Sequence, residues 1–285
     1  MVDDRLLTHA DAIRVHTWLA KEFSALAFED YLLHRQLEKF GAKFVAKYNT
    51  HVFSQTYEDA AIAEIFSRIG AASKTFIEIG AGDGSENTTR FLLMLGWRGL
   101  WVESDEANGA AIRNGFAREL ASGQLHLVQD VAAPENIQSL IDRAGLGSQV
   151  DFLSIDIDLH THCIFRAITT GVRAACVEYN AHFPPSVEYE TPYEPGEFWN
   201  GANVYGASLK SLEIIGQTKG LSLVGCDLHG VNAYFVASNL TGDQFPTPFT
   251  AETHYQPARF PFVRGQRGHR RQQPHEMSEP EQNPG

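Results

Sequence analysis

Acidic, amide and imidazole side chains recur in this 285-residue chain just after short apolar runs. The first such place is Thr75-Phe-Ile-Glu78-Ile-Gly80-Ala-Gly82-Asp83-Gly84, where two acids sit in or beside a glycine turn. Glu103 closes the next apolar run, 25 residues beyond Glu78, and Asp130 follows the third. Asp156, Asp158, His160 and His162 follow the fourth, and Glu178, Asn180 and His182 the fifth. A glycine turn leading into a helix lets a ligand approach the backbone and seats it at the helix N-terminus. Gly80, Gly82 and Gly84 make GxGxG; the third glycine of a dinucleotide fingerprint would fall on Ser85. Glu78 and Asp83 would repel a pyrophosphate. Glu103 suits the two hydroxyls of a ribose, and Asp130 an adenine amino group.

The later cluster suits proton or metal chemistry. A histidine is a natural general base near neutral pH. Alternatively, carboxylates with Asn180 could hold Mg²⁺ or another divalent ion that acidifies a hydroxyl. Histidine ligands would shift the preference toward Zn, Fe or Ni. The metal candidates are Asp158, His160, His162, Glu178 and Asn180, and the catalytic candidates Asp156, Asp158, His160, His162 and His182. An acidic nucleoside seat favours a ligand with ammonium and sulfonium charges, which S-adenosylmethionine has.

Elements of a regular α/β sheet would bring these groups together. Alternating apolar runs predict strands at 75–80, 99–104, 125–129, 151–157 and 173–179. Helices are expected at 59–69, 85–95, 106–121, 134–144, 162–170 and 204–219, with Pro134 in a first helical turn. Strands 221–227 and 231–237, joined by Leu228-His229-Gly230, read as an antiparallel hairpin. Repeated strand–helix units give a doubly wound, mostly parallel seven-stranded sheet, with the ligand beyond the carboxyl ends of its strands. Adjacent strands are about 4.8 Å apart, so the fourth and fifth strand ends can share one pocket. Residues 1–52 form a helical annex, 53–240 the main domain and 241–264 an extension; 265–285, rich in Arg, Gln, His, Pro and Glu, read as a flexible tail. Residues 181–203 form a long loop rich in proline and aromatics, expected to cover the substrate.

The formal net charge of −12 argues against a nucleic-acid substrate and leaves small molecules, saccharides or a basic partner. Three cysteines without CxxC spacing suggest reduced thiols, and a cytoplasmic protein is expected. Cys176 and Cys226, inside apolar runs, are expected to be packing residues. The N-terminus does not read as a signal peptide, and no window reaches the roughly 18 apolar residues of a membrane span. Trp97 and Trp101 are expected in the core, and His126 and His229 as structural or surface residues.

Taken in order, several segments resemble class I S-adenosylmethionine-dependent methyltransferases, in particular the FkbM-like group. They are Ser54-Gln55 with Glu58-Asp59; Phe76 to Gly84; Glu86-Asn-Thr-Thr89; Gly96-Trp-Arg-Gly-Leu-Trp-Val-Glu103; Asp151 to Asp158; and Glu178-Tyr-Asn180-Ala-His-Phe-Pro-Pro185. The resemblance covers about residues 52–240. It implies the Rossmann-like methyltransferase fold with an antiparallel last strand. Implied cofactor contacts are Glu78, Gly80, Gly82, Glu103 and Asp130, with Gln55 and Asn87; Asp83, Ser104, Val131 and Asp156 extend the set along the same strand ends. It implies O-methylation of a saccharide or small natural product, without nucleic acid or membrane span, by a candidate homo-oligomer. Where relatives continue Asp-Ile-Asp with a small polar run, this chain has Leu159-His160-Thr161-His162. That departure keeps two alternatives open: a metal-binding enzyme on this scaffold that transfers no methyl, and a non-catalytic binding protein.

Overall fold

The computed structural model describes residues 9–48, 50 and 52–259. Seven strands form one sheet: β1 Thr75–Ile79, β2 Arg98–Glu103, β3 Leu125–Gln129, β4 Gln149–Ile155, β5 Gly171–Glu178, β6 Leu221–Cys226 and β7 Asn232–Ala237. Their order is β3-β2-β1-β4-β5-β7-β6. β7 alone runs antiparallel, paired to both β5 and β6. This is the Rossmann-like methyltransferase arrangement. The strand order reverses between β1 and β4, so the crevice at their carboxyl ends is the natural ligand site.

Successive strand residues point to opposite faces, and each face has its own core. Ile77, Ile79, Leu100, Val102, Leu153, Ile155 and Phe235 pack on one side. Phe76, Trp101, Phe152, Cys176, Tyr234 and Val236 pack on the other with Trp97. Trp97, Trp101, Cys176 and Cys226 are buried as expected. His229 is buried too, between Asp227 and Glu29.

Nine α-helices lie among the described residues: α1 His9–Phe40, α2 Glu58–Ile69, α3 Arg90–Met94, α4 Glu106–Gly115, α5 Ala117–Ala121, α6 Ile137–Arg143, α7 Thr161–Ala167, α8 Leu209–Thr218 and α9 Ala251–His254. Several are shorter than periodicity predicts, for local reasons. The helix expected at 85–95 begins only at Arg90, because the amides of Thr88 and Thr89 turn back to the carboxylate of Glu78. The helix expected at 106–121 breaks at Phe116, whose ring packs edge-on against Trp101, 4.8 Å between centroids. Pro134 lies in the turn before α6 rather than in its first turn. α7 ends at Ala167, and β5 begins at Gly171. α8 begins at Leu209, where the Ser208 side chain accepts the amide of Ser211.

The annex is one long helix, α1, followed by a 3₁₀ turn at Gly41–Lys43. After β7 the chain returns over the molecule: Phe245 is buried, and the amide of Arg259 donates to the His229 carbonyl. The expected tail at 265–285 lies outside the described residues. No described helix is long and apolar enough to cross a membrane.

Candidate functional site

A cleft of about 1110 Å³ opens at the carboxyl ends of β1, β2 and β4. β1 runs into Gly80, whose φ is +88°. A β-carbon there would lie 1.9 Å from the carbonyl oxygen of Asp156, so this crossing of β1 and β4 requires glycine. Gly82, at φ +59°, has nothing within 4 Å of where a β-carbon would be. One closely packed glycine and one with open space together let a ligand lie along the backbone.

Glu103 at the end of β2 fixes this loop. Its Oε2 accepts the amide of Gly82 at 2.7 Å, and its Oε1 accepts the amide of Asp105 at 2.7 Å. Asp105 in turn caps α4 by accepting the amide of Asn108. Each Glu103 oxygen has further lone pairs for hydroxyl donors.

Glu78 is 1% exposed and also borders the cleft. Its oxygens accept the Asn87 amide nitrogen, the Thr88 and Thr89 backbone amides and the Thr89 hydroxyl. Burial pushes its pKa up to about 7 against the pull of these donors. Glu78 thus shapes the 87–89 loop, and the Oδ1 of Asn87 is left buried without a hydrogen-bond partner. Asp83 accepts the amide of Ser85, and hydrogen bonds from the Ser85 hydroxyl and amide hold its carboxyl below the usual range. Gln55, Ser104 and Val131 line the cleft. Asp130 does not line it; the half-exposed carboxylate accepts the amide of Val131 and lies 3.9 Å from Arg143.

At the β4 and β5 ends the structure brings together Asp156, Asp158 and Glu178, whose oxygens lie within 4.8 Å of one another. Asp158 has a left-handed backbone, φ +56°. Glu178 is 8% exposed, and its Oε2 has no hydrogen-bond partner. Burial, then the charges of Asp156 and Asp158, drive its pKa well above the usual carboxylate range. Tyr205, buried beside these acids, has its phenol pKa raised by burial.

The histidines separate from this trio. Residues two apart on a helical turn face different ways, and His160 and His162 do so. His160 lines the cleft, edge-on to Tyr193 at 5.0 Å, and desolvation lowers its pKa. His162 is 1% exposed and does not line the cleft; its Nε2 donates to the Thr191 carbonyl at 3.0 Å. Desolvation lowers its pKa also. Asn180 is fully buried, and its amide donates to the carbonyls of Asn203 and Tyr205 while its oxygen accepts the amide of His182. His182 is exposed and outside the cleft lining. Of the residues selected for metal binding, the geometry therefore groups Asp158 and Glu178, joins Asp156 to them, and leaves His160, His162 and Asn180 apart.

Residues 181–203 supply the outer wall through Tyr193, Pro195, Gly196, Glu197 and Phe198. The segment is pinned by Thr191 to Gly206 and Ser208 to Tyr189 backbone bonds, and by the Arg166–Glu190 ion pair at 2.7 Å. Four lining acids escaped the selection of site residues: Glu58, Glu86, Glu135 and Glu197. Glu58 and Glu86 stood only within motifs, Glu197 only within the long loop, and nothing local marks Glu135. With Glu78, Asp83, Glu103, Asp156 and Asp158 they make nine lining carboxyl groups, and no described lining residue is a lysine or arginine.

No family model matches the chain, and no curated protein matches it in sequence. Solved structures similar to it are S-adenosylmethionine-dependent methyltransferases. One, from Clostridium acetobutylicum, is 10% identical, with 64% of this chain and 92% of that chain covered and a TM-score of 0.39. The CcbJ methyltransferase of Streptomyces caelestis is 13% identical over 69% of this chain and 97% of its own, TM-score 0.41. The glycopeptide N-methyltransferase MtfA, in complex with S-adenosylmethionine, is 15% identical over 73% and 96%, TM-score 0.37.

Proposed function

We propose that this chain is an S-adenosylmethionine-dependent methyltransferase that methylates an oxygen of a saccharide or small natural product. The observation that carries the reading is the charge of the cleft: nine lining carboxyl groups and no lysine or arginine among the described residues. Such a wall repels the pyrophosphate of a dinucleotide and attracts a nucleoside bearing ammonium and sulfonium charges. The other parts fit that group. The Gly80–Gly82 turn admits a ligand to the backbone, Glu103 has lone pairs for ribose hydroxyls, and Asn87 offers a buried, unpaired oxygen.

When bound, the cofactor supplies an electrophilic methyl on a cationic sulfur. The remaining work falls to the protein. Tyr193 and Phe198 present aromatic surface on which a sugar ring can stack. In this reading His160, whose pKa desolvation lowers, gives up its 3.5 Å contact with the Glu194 amide and accepts the acceptor hydroxyl proton. In this reading the loop wall covers the acceptor and keeps water from the reacting centre. Calorimetric titration with S-adenosylmethionine, followed by mass spectrometry of acceptor candidates for a gain of one methyl, tests the reading; absence of binding refutes it.

A second reading concerns a metal. The clustering of Glu178 with Asp156 and Asp158, together with its unpartnered Oε2, favours a cation there. Three carboxylates form an all-oxygen donor set, which suits Mg²⁺ or Ca²⁺ better than the Zn, Fe or Ni expected from histidines. Asp156, Asp158 and Glu178 would hold it, and it would lower the pKa of a bound hydroxyl. Metal analysis of the purified protein, with and without chelator treatment, checks this.

A further inference from the structure

Among the described side chains of α1, those buried against the body of the molecule lie in its second half. Ala25, Glu29 and Leu32 are buried there. Tyr57 donates its hydroxyl to Glu29, Lys39 donates to the Thr253 carbonyl, and the Phe40 ring stacks on His254. From Ile13 to Ser24 no side chain is buried. Yet this stretch carries large apolar residues: Val15 is 44% exposed, Trp18 58%, Leu19 37% and Phe23 70%, and Leu26, just past Ala25, is 40% exposed. Their spacing puts them along one side of the helix. Trp18, Ala25 and Leu32 follow one another at heptad intervals, so the stripe prolongs the bedded face beyond the body.

We propose that this stripe is a homodimer interface, in which α1 packs antiparallel on α1 of a second copy about a two-fold axis. Three observations favour a second copy. The first is area. The five side chains expose about 500 Å² per chain, so a two-fold pair buries on the order of 1,000 Å² before flanking atoms count, the threshold for a specific interface. The second is charge. The chain carries −12, so two copies repel over most of their surface. Between Ile13 and Phe28 the only formal charges are Arg14, Lys21 and Glu22, a net +1, which makes this arm a place where two acidic molecules can meet. The third is symmetry: one apolar helical stripe is self-complementary when two copies cross antiparallel, and such an interface closes without leading to a filament. The interface lies outside the cleft and stands or falls independently of the methyl-transfer reading.

Sedimentation velocity of the full chain over a concentration series tests the proposal. A dimer is expected, with Phe23→Ala weakening it by at least about tenfold and Leu19→Asp with Phe23→Asp giving monomers. These side chains are exposed in one copy, so an unchanged circular dichroism spectrum and melting temperature should accompany dissociation. A wild-type monomer at 100-fold dilution steps up to about 100 μM, or a dimer indifferent to the substitutions, overturns the proposal. So does a wild-type monomer that co-sediments with anionic lipid vesicles through the same residues, which would make the stripe a membrane-surface helix.

Discussion

On the glycine-turn side of the cleft, Glu78 and Glu103 are surrounded by hydrogen-bond donors from their own loops. On the opposite side, Asp156, Asp158 and Glu178 crowd one another, and one buried oxygen has no partner. The first group is finished before any ligand arrives: its carboxylates organise backbone, and the ligand meets a rigid seat. The second is an incomplete arrangement of like charges, which calls for a cation or a proton from outside. The same residue type therefore finds hydrogen-bond donors on one side of the cleft and crowds its own kind on the other.

The largest expected effect breaks the rigid side. Gly80→Ala drives a β-carbon into the Asp156 carbonyl and should cost more than about 3 kcal/mol in urea denaturation. Gly82→Ala, with open space at its β-carbon, should cost only about 1 kcal/mol while weakening nucleoside binding. Next comes a contrast of sign. Glu78→Gln replaces a carboxyl that carries at most one hydrogen by an amide that carries two among four donors, and should destabilise by about 2–3 kcal/mol at pH 5. Glu178→Gln replaces a carboxyl whose ionisation burial and two neighbouring acids oppose, and should stabilise by about 1 kcal/mol while lowering turnover at least about tenfold. Denaturation curves of both variants, paired with a methyl-transfer assay, read the contrast directly.

A smaller effect follows from pH. The folded-state pKa of Glu78, about 7, lies above its ordinary value of 4.5, so the folded protein keeps this proton after the unfolded chain has lost it. Its contribution is full below pH 4.5 and is lost as pH rises through 7, roughly 3 kcal/mol in all. The stability lead of wild type over Glu78→Gln should accordingly narrow between pH 5 and pH 8. A lead that widens instead would mean that the carboxylate is the preferred buried form.

The sheet was largely legible in the sequence because each strand announces itself locally, by alternation and by the glycine or acid that ends it. Helix starts were legible at α2, α4 and α7 but not at α3, α6 and α8. α3 begins late because Glu78, ten residues before Thr88, captures amides that a helix would use. The glycine-turn half of the site was legible for the same local reason, since Gly80, Gly82 and Glu103 lie where strands end. The other half was not. His160 and His162 are close in pattern but two residues apart on a helical turn, which points them different ways. The grouping of Glu178 with Asp156 and Asp158 depends on how β5 registers against β4, with Ile155 opposite Val177. The loop acids Glu135 and Glu197 reach the cleft through tertiary packing alone.

Calorimetric titration of the purified chain with S-adenosylmethionine, set beside NAD⁺ and beside the Glu103→Gln variant, tests the central claim most directly. One-to-one binding of S-adenosylmethionine, no binding of NAD⁺, and a loss of roughly tenfold to a hundredfold in the variant are expected. Binding of NAD⁺ instead, or S-adenosylmethionine affinity indifferent to Glu103, would contradict the account.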